Sequence, residues 1–356
     1  MMNLINSRTD RGRKILLAAL FACLLSFGYA AAQLPDVSEI ARKAGPKPSP
    51  VYPHYWTGLI GEYGADDSPL IVLEQGGRLF VQRKTESDAL REVSRNAFEV
   101  IAGPHLGQRV IFTRAANGRA TRMSFPGMSF PRRNIEPETG NQLRIKPLRP
   151  VRELMKEARA AQPPKEDGEF LQTDLVELTR LDPSIRLEIR YATNNNFLGT
   201  VFYSQPRAFM QRPAAEALVQ ASMKLHRFGY GLLVHDAYRP WYVTKVFWDA
   251  TPDDKKVFVA DPSKGSRHNR GCAVDLTLYE LDTKRPVQMV STYDETTARA
   301  YPDYPGGTSI QRWQRALLRA AMEGEGFTVY EAEWWHFDYK DWRKYRIGNL
   351  TFEQIK

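Results

Sequence analysis

Two short stretches of the chain hold the residues best suited to chemistry. Residues 266 to 275 read Ser-Arg-His-Asn-Arg-Gly-Cys-Ala-Val-Asp, and residues 333 to 336 read Glu-Trp-Trp-His. Together they supply two imidazoles, one carboxylate to sit beside them and one carboxylate to spare. A hydrolytic zinc centre usually takes three protein ligands and keeps a fourth position for water. His268, Asp275 and His336 give that count, and Glu333 is left over as a base. One zinc ion per chain is therefore expected, since two imidazoles with one carboxylate suit zinc well.

Glu333 and His336 are three positions apart, and in a regular strand such residues point to opposite faces. The spacing predicts a twisted or bulged strand end around Trp334 and Trp335, with the indoles as an apolar wall or as plain core packing. Cys272 lies between Gly271 and Ala273, where a small buried side chain is expected, and a free thiol in such a place behaves as a small hydrophobe. His54 and His105 read as surface or packing residues, and neither His226 nor His235 is expected to bind metal.

The elements that must position these groups follow from the rest of the sequence. A chain of 356 residues exceeds what one hydrophobic core usually organises and predicts more than one domain. Basic residues from Arg8 to Lys14 precede an apolar run from Ile15 to Tyr29 that ends in Ala30-Ala31-Ala32, the layout of a secretory signal over residues 1–32. The run falls just short of the ~18 to 20 residues that span a bilayer, and a retained anchor is the alternative. Lipid modification at Cys23 is a minor reading, because bulky Phe21 precedes it. Export would place the protein in the periplasm or outside the cell. It would also leave Cys272 as the one cysteine of the mature chain, so no intramolecular disulfide is expected.

Residues 33–54 are rich in Pro and basic residues and read as an extended tether. From 55 to 135, short apolar runs alternate with turn signals such as Gly76-Gly77 and Asn117-Gly118, which predicts a small all-β barrel or sandwich. Residues 136–170 read as a Pro-rich linker with one amphipathic helix over 151–161. Residues 171–356 mix strand-like runs with helical ones at 213–227 and 309–323, which predicts an α+β domain with a mainly antiparallel sheet. Fifty Lys and Arg face 41 Asp and Glu, a net charge of +9, yet no compact basic block with interleaved aromatics stands out. No nucleic-acid partner is expected; a basic exported surface is instead suited to anionic wall polymers.

Five motifs in order give the third segment a family likeness: Arg190-Tyr191-Ala192-Thr193 with Asn196-Phe197, Gly229 to Leu233, Asp236-Ala237-Tyr238-Arg239-Pro240, Ser266 to Tyr279, and Glu333 to Phe337. In these it resembles the VanX-type D-alanyl-D-alanine dipeptidases, within the wider group of zinc D,D-peptidases that shares the hedgehog-like fold. The β region bears only a loose likeness to small domains appended to exported enzymes. The resemblance implies that His268, Asp275 and His336 bind zinc, that Glu333 is the general base, and that Arg239 stabilises the developing oxyanion. It further implies that Asp294 with Tyr191 meets the substrate's amino end and that the carboxylate end lies near Ser266.

The expected substrate is a small D-amino-acid dipeptide or a peptidoglycan fragment. Two other readings stay open: an exported D,D- or L,D-carboxypeptidase or endopeptidase of the wall, and a zinc-stabilised wall-binding module without turnover. Glu333 and Arg239 argue against the last, since a structural site needs neither a base nor an oxyanion clamp.

Overall fold

Alternation of side chains decides the first half of the molecule. The computed structural model describes residues 35–49, 51–135 and 143–355, and the chain from Val37 onward forms one compact unit. The expected leader and Cys23 lie outside the described residues. The tether expectation needs correction, because residues Ser38–Ala44 form a helix, α1. Ile40 and Ala44 are one helical turn apart, and both pack on the main core. Gly45, just past its end, accepts the Trp313 indole N–H at 2.9 Å.

Eight strands follow: β1 (Gly61–Tyr63), β2 (Leu70–Gln75), β3 (Arg78–Arg83), β4 (Glu86–Ser94), β5 (Ala97–Ala102), β6 (Arg109–Arg114), β7 (Ala120–Ser124) and β8 (Ser129–Pro131). Each pairs antiparallel with the next, and a bridge between Tyr63 and Arg132 brings the first strand to the last, giving a nearly closed barrel. In β3 Leu79 and Val81 point inward and their neighbours outward, and in β6 Val110 and Phe112 do the same. The β2–β3 hairpin turns on Gly76 and Gly77, both left-handed at φ +59° and +80°, as a two-residue turn with matching twist requires. Tyr63, Phe98, Phe112 and Phe125 fill the interior.

The linker segment carries helix α2 (Val151–Ala160), whose Leu154 and Ala158 are buried. They join the main core with Ile145, Val151 and Met155, so the helix expected in the Pro-rich linker is present and packs on the peptidase half. The second half then runs β9 (Leu175–Glu177), β10 (Arg186–Leu187), β11 (Phe209–Gln211), α3 (Arg212–His226), β12 (Tyr230–Asp236), α4 (Trp241–Ala250), β13 (Ala273–Glu280), α5 (Ser309–Glu323), β14 (Phe327–Tyr330) and β15 (Glu333–Tyr339). Its main sheet has the order β10-β12-β13-β15-β14, antiparallel except at β10–β12. Mixed helix and antiparallel sheet is what the α+β expectation asked for.

Strand β12 is buried at all seven positions, because it lies between β10 and β13 and α3 packs on it. Gly231 lets the Tyr279 ring cross that strand, where a Cβ would stand 2.4 Å from the ring. The three central strands β12, β13 and β15 carry Asp236, Asp275 and His336 in adjacent register, since Asp236 faces Asp275 and Asp275 faces His336.

Candidate active site

The sequence around His268 folds as a turn held by the inward bonds of Asn269. Asn269 donates to the Arg239 carbonyl and to Thr244 Oγ1, each at 2.8 Å, and accepts from the Ser266 N–H at 2.8 Å. Gly271 closes the turn at φ +68°, a backbone state that costs other residues strain. The His268 ring is thereby held with Nδ1 2.6 Å from the Ala237 carbonyl. That oxygen only accepts, so Nδ1 carries the proton and Nε2 presents its lone pair.

His336 is held in the opposite sense. Its Nε2 lies 2.9 Å from Asp338 Oδ1 and its Nδ1 turns inward. The two inward nitrogens are 3.1 Å apart, and Asp275 Oδ1 lies 3.3 Å from one and 3.0 Å from the other. Two ring nitrogens and a carboxylate oxygen this close need positive charge among them, either a proton on His336 Nδ1 or a metal ion. Ligands on a tetrahedral ion with bonds of about 2.1 Å stand roughly 3.4 Å apart, so the three predicted ligands fit a divalent metal in both spacing and donor type. The whole donor set lies within 4.8 Å.

The surrounding charges respond to this arrangement. Burial pushes the Asp275 carboxyl up, but His268 and His336 outweigh it and hold it well below the usual carboxylate range. His336 is driven well above the ordinary imidazole value, since Asp338 and Asp275 overcome its burial. Burial and the like charge of Asp275 lift Glu333 to about 8, against the pull of His336 and Arg239. Glu333 Oε2 stands 3.9 Å from His336 Nδ1.

The side-by-side placement of Glu333 and His336 comes from a break in register. Val329 of β14 pairs with Phe337, but the next residue, Tyr330, pairs with Glu333. Residues 334 to 336 therefore bulge out of the β14–β15 ladder, and the bulge the spacing called for is present. The indoles serve packing: Trp334 donates to Ser291 Oγ at 2.8 Å, and Trp335 meets the Tyr293 ring edge-on at 5.7 Å. Neither lines the cavity over the site, whose apolar wall is instead Ile145, Phe197, Phe247 and the stretch from Val257 to Ala260.

Arg239 is buried against Asp236, to which its Nε and one terminal nitrogen both reach at 2.8 Å. Its guanidinium covers the rings of Tyr191 and Phe247, at 5.2 and 4.9 Å from their centres. Asp236 is fixed in turn by the Tyr203 hydroxyl at 2.8 Å. Arg239 also faces Asp275 at 3.6 Å, so its charge is aimed at the site.

Tyr191 donates to both oxygens of Asp294, at 2.9 and 3.1 Å. Burial, with Asp275 and Glu333 nearby, raises the Asp294 carboxyl well above its ordinary value, so it favours a cationic neighbour. The cavity brings these two together with His268, Asp275, Glu333, His336 and Arg239. Ser266 is different. It is buried away from that wall, and its hydroxyl accepts the His268 N–H at 3.2 Å. That bond helps to hold the His268 turn.

Three groups escaped the sequence reading. Asp338 was legible, since it lies two residues after His336 and so on the same strand face. Tyr293, which donates to Asp275 Oδ2 at 2.9 Å, and Ile145 gave no local signal, because long-range folding alone brings them in.

A family described as D-ala-D-ala dipeptidase matches residues 171–352. The chain belongs to this family. A D-alanyl-D-alanine dipeptidase of Escherichia coli is 34% identical over 166 residues, which cover 47% of this chain and 84% of that protein. Those of Enterococcus faecalis and Streptomyces coelicolor are 34% and 30% identical and are covered to 85% and 92% of their lengths. The family is one of peptidases, and the protein is a hydrolase of that kind. The barrel lies wholly outside the matched residues.

Proposed function

We propose that this protein is a zinc-dependent dipeptidase that hydrolyses D-alanyl-D-alanine or a similar small D,D-dipeptide. The observation that carries the proposal is the convergence of His268 Nε2, His336 Nδ1 and Asp275 Oδ1, with Glu333 3.9 Å from His336 and Arg239 3.6 Å from Asp275. His268, Asp275 and His336 would hold a zinc ion, which would supply Lewis acidity and lower the pKa of a bound water toward neutrality. Glu333, beside His336, would take the proton from the attacking water as it adds to the amide carbonyl and deliver it to the leaving amine. Arg239 offers fixed positive charge to the oxygen that becomes anionic, stabilising the transition state more than the ground state. Asp294, with the Tyr191 hydroxyl behind it, takes the substrate's ammonium.

The cavity volume of about 100 Å³ is well under the ~300 Å³ at which sites for drug-sized ligands begin, which favours a dipeptide over a wall polymer. With the leader-like residues 1–32 and the hedgehog-like fold expected of residues 171–356, we further propose that the protein is exported and acts in cell-wall peptide turnover.

The test is release of D-alanine from D-Ala-D-Ala, beside a muropeptide ending in the same two residues, by zinc-loaded protein. Glu333→Gln should lower kcat by about a hundred- to ten-thousandfold, the usual worth of a general base, while bound zinc is unchanged. Cleavage of the muropeptide alone would move the assignment to a wall carboxypeptidase. Full activity in Glu333→Gln would end the proposed role of Glu333.

A further inference from the structure

The segment between β13 and α5 carries Asp294 and Tyr293 into the site, yet its backbone does not favour that position. Asp294 adopts φ +57°, a left-handed state that costs a residue with a side chain and persists only where its surroundings impose it. Its carboxylate also faces the like charges of Asp275 and Glu333. Something must hold the segment in place.

Part of the hold is internal. Glu295, buried beside Asp294, accepts from the Thr292 N–H at 3.2 Å and pairs with Arg299 at 3.2 Å. Arg299 in turn donates to the Val290 carbonyl at 2.6 Å, so the bend is closed on itself. The rest comes from the barrel. Tyr304 donates to Glu62 of β1 at 2.7 Å, and the other oxygen of Glu62 is paired with Arg133. Glu74 of β2 accepts the Ser309 N–H at 2.8 Å, where α5 begins, and its backbone oxygen accepts from Arg312 at 2.7 Å. Glu62 and Glu74 are both buried at this seam.

We infer that the barrel braces the Asp294 segment, and that Glu62 and Tyr304 are positioning residues for capture of the substrate's ammonium. The inference rests on the reading that Asp294 meets that ammonium. It gives the barrel a part in the reaction although it lies outside the family match and contributes no group to the cavity.

The experiment is steady-state kinetics of the full-length, zinc-loaded Tyr304→Phe variant on D-Ala-D-Ala, with hydrogen–deuterium exchange of the same protein. Losing one buried hydrogen bond should raise KM on the order of fivefold with kcat little changed. Zinc content should be unaltered, and exchange should quicken in residues 290–300 but not in the barrel strands. Glu62→Gln, which keeps an oxygen for Tyr304, should retain most of the wild-type KM, whereas Glu62→Ala should behave like Tyr304→Phe. Wild-type KM and exchange in Tyr304→Phe, or a fall in kcat at constant KM, would overturn the inference. Asp294→Asn separates the two ideas. A wild-type KM in that variant removes the ammonium reading and the capture role with it, while the exchange data still report whether the barrel holds the segment.

Discussion

At the level of single residues, burial decides which groups titrate and which stay silent. His235 is enclosed on β12 with its ring stacked 4.8 Å from that of Tyr293. Burial and the charge of Arg190 bring its pKa down to about 3; the Glu188 carboxylate at 3.5 Å is 44% exposed and does not offset them. The folded protein therefore holds His235 neutral, while the unfolded chain takes up a proton below about pH 6.5. Below that pH the unfolded state binds more protons, so this residue makes stability fall as pH drops from 6.5 toward 3, by at most about 1.4 kcal/mol per unit. Urea unfolding of His235→Gln between pH 7 and 4 should show a shallower loss than wild type. Equal slopes would show that His235 is not the group responsible.

The same scale shows why the cluster of His268, Asp275 and His336 was legible in sequence and the place of Ser266 in its turn was not. His268, Asp275, Glu333 and His336 announce themselves by residue type, because few other arrangements give two histidines and two acids such spacing. A serine two positions before a histidine is equally able to face a ligand or to cap a turn, and only the folded geometry tells which.

At the level of elements, the turn before β13 depends on one glycine. A Cβ on Gly271 would stand 2.5 Å from Leu175 of β9, and the residue sits at φ +68°. Gly271→Ala combines left-handed strain with overpacking, and each costs about 1 kcal/mol or more. The variant should melt several degrees lower and lose activity as His268 shifts; an unchanged melting temperature would refute this account. Elements with strong periodicity, such as α3 and α5, were readable to within a residue or so. Helix α1 was not, because a seven-residue helix beside prolines leaves its signal in only Ile40 and Ala44, and the core that fixes it comes from residues far along the chain.

At the level of the whole molecule, the barrel and the peptidase half share a buried polar seam. Glu62 and Glu74 each have a partner on the other side, Tyr304 and Ser309, besides Arg133 and Gly77 on their own side, so buried polar contacts tie the halves together. Unfolding should accordingly be a single transition. Trp56 is the one indole of the barrel among seven in the chain. Tryptophan fluorescence thus reports mainly on the peptidase half and far-UV circular dichroism on both. The two urea curves should coincide, and separate midpoints would show that the seam yields first. None of this was legible in sequence, where the two regions read as independent units joined by a spacer; alternation identifies a barrel strand but not what its outer face meets.

The order of strands in the barrel bears on how the chain reaches this state. Every barrel strand pairs with its immediate neighbour in sequence, so its loops close over short distances. The peptidase sheet must instead join segments more than fifty residues apart, as when Asp275 meets His336. Short-range pairing is faster to form, which makes the barrel the early half and the catalytic sheet the late one. Until Tyr304 and Ser309 arrive, Glu62 and Glu74 are carboxylates in water on an unfinished surface. Their burial waits on the correct docking of the later half, so the barrel acts as a template that rewards only the register in which the catalytic loop is properly placed.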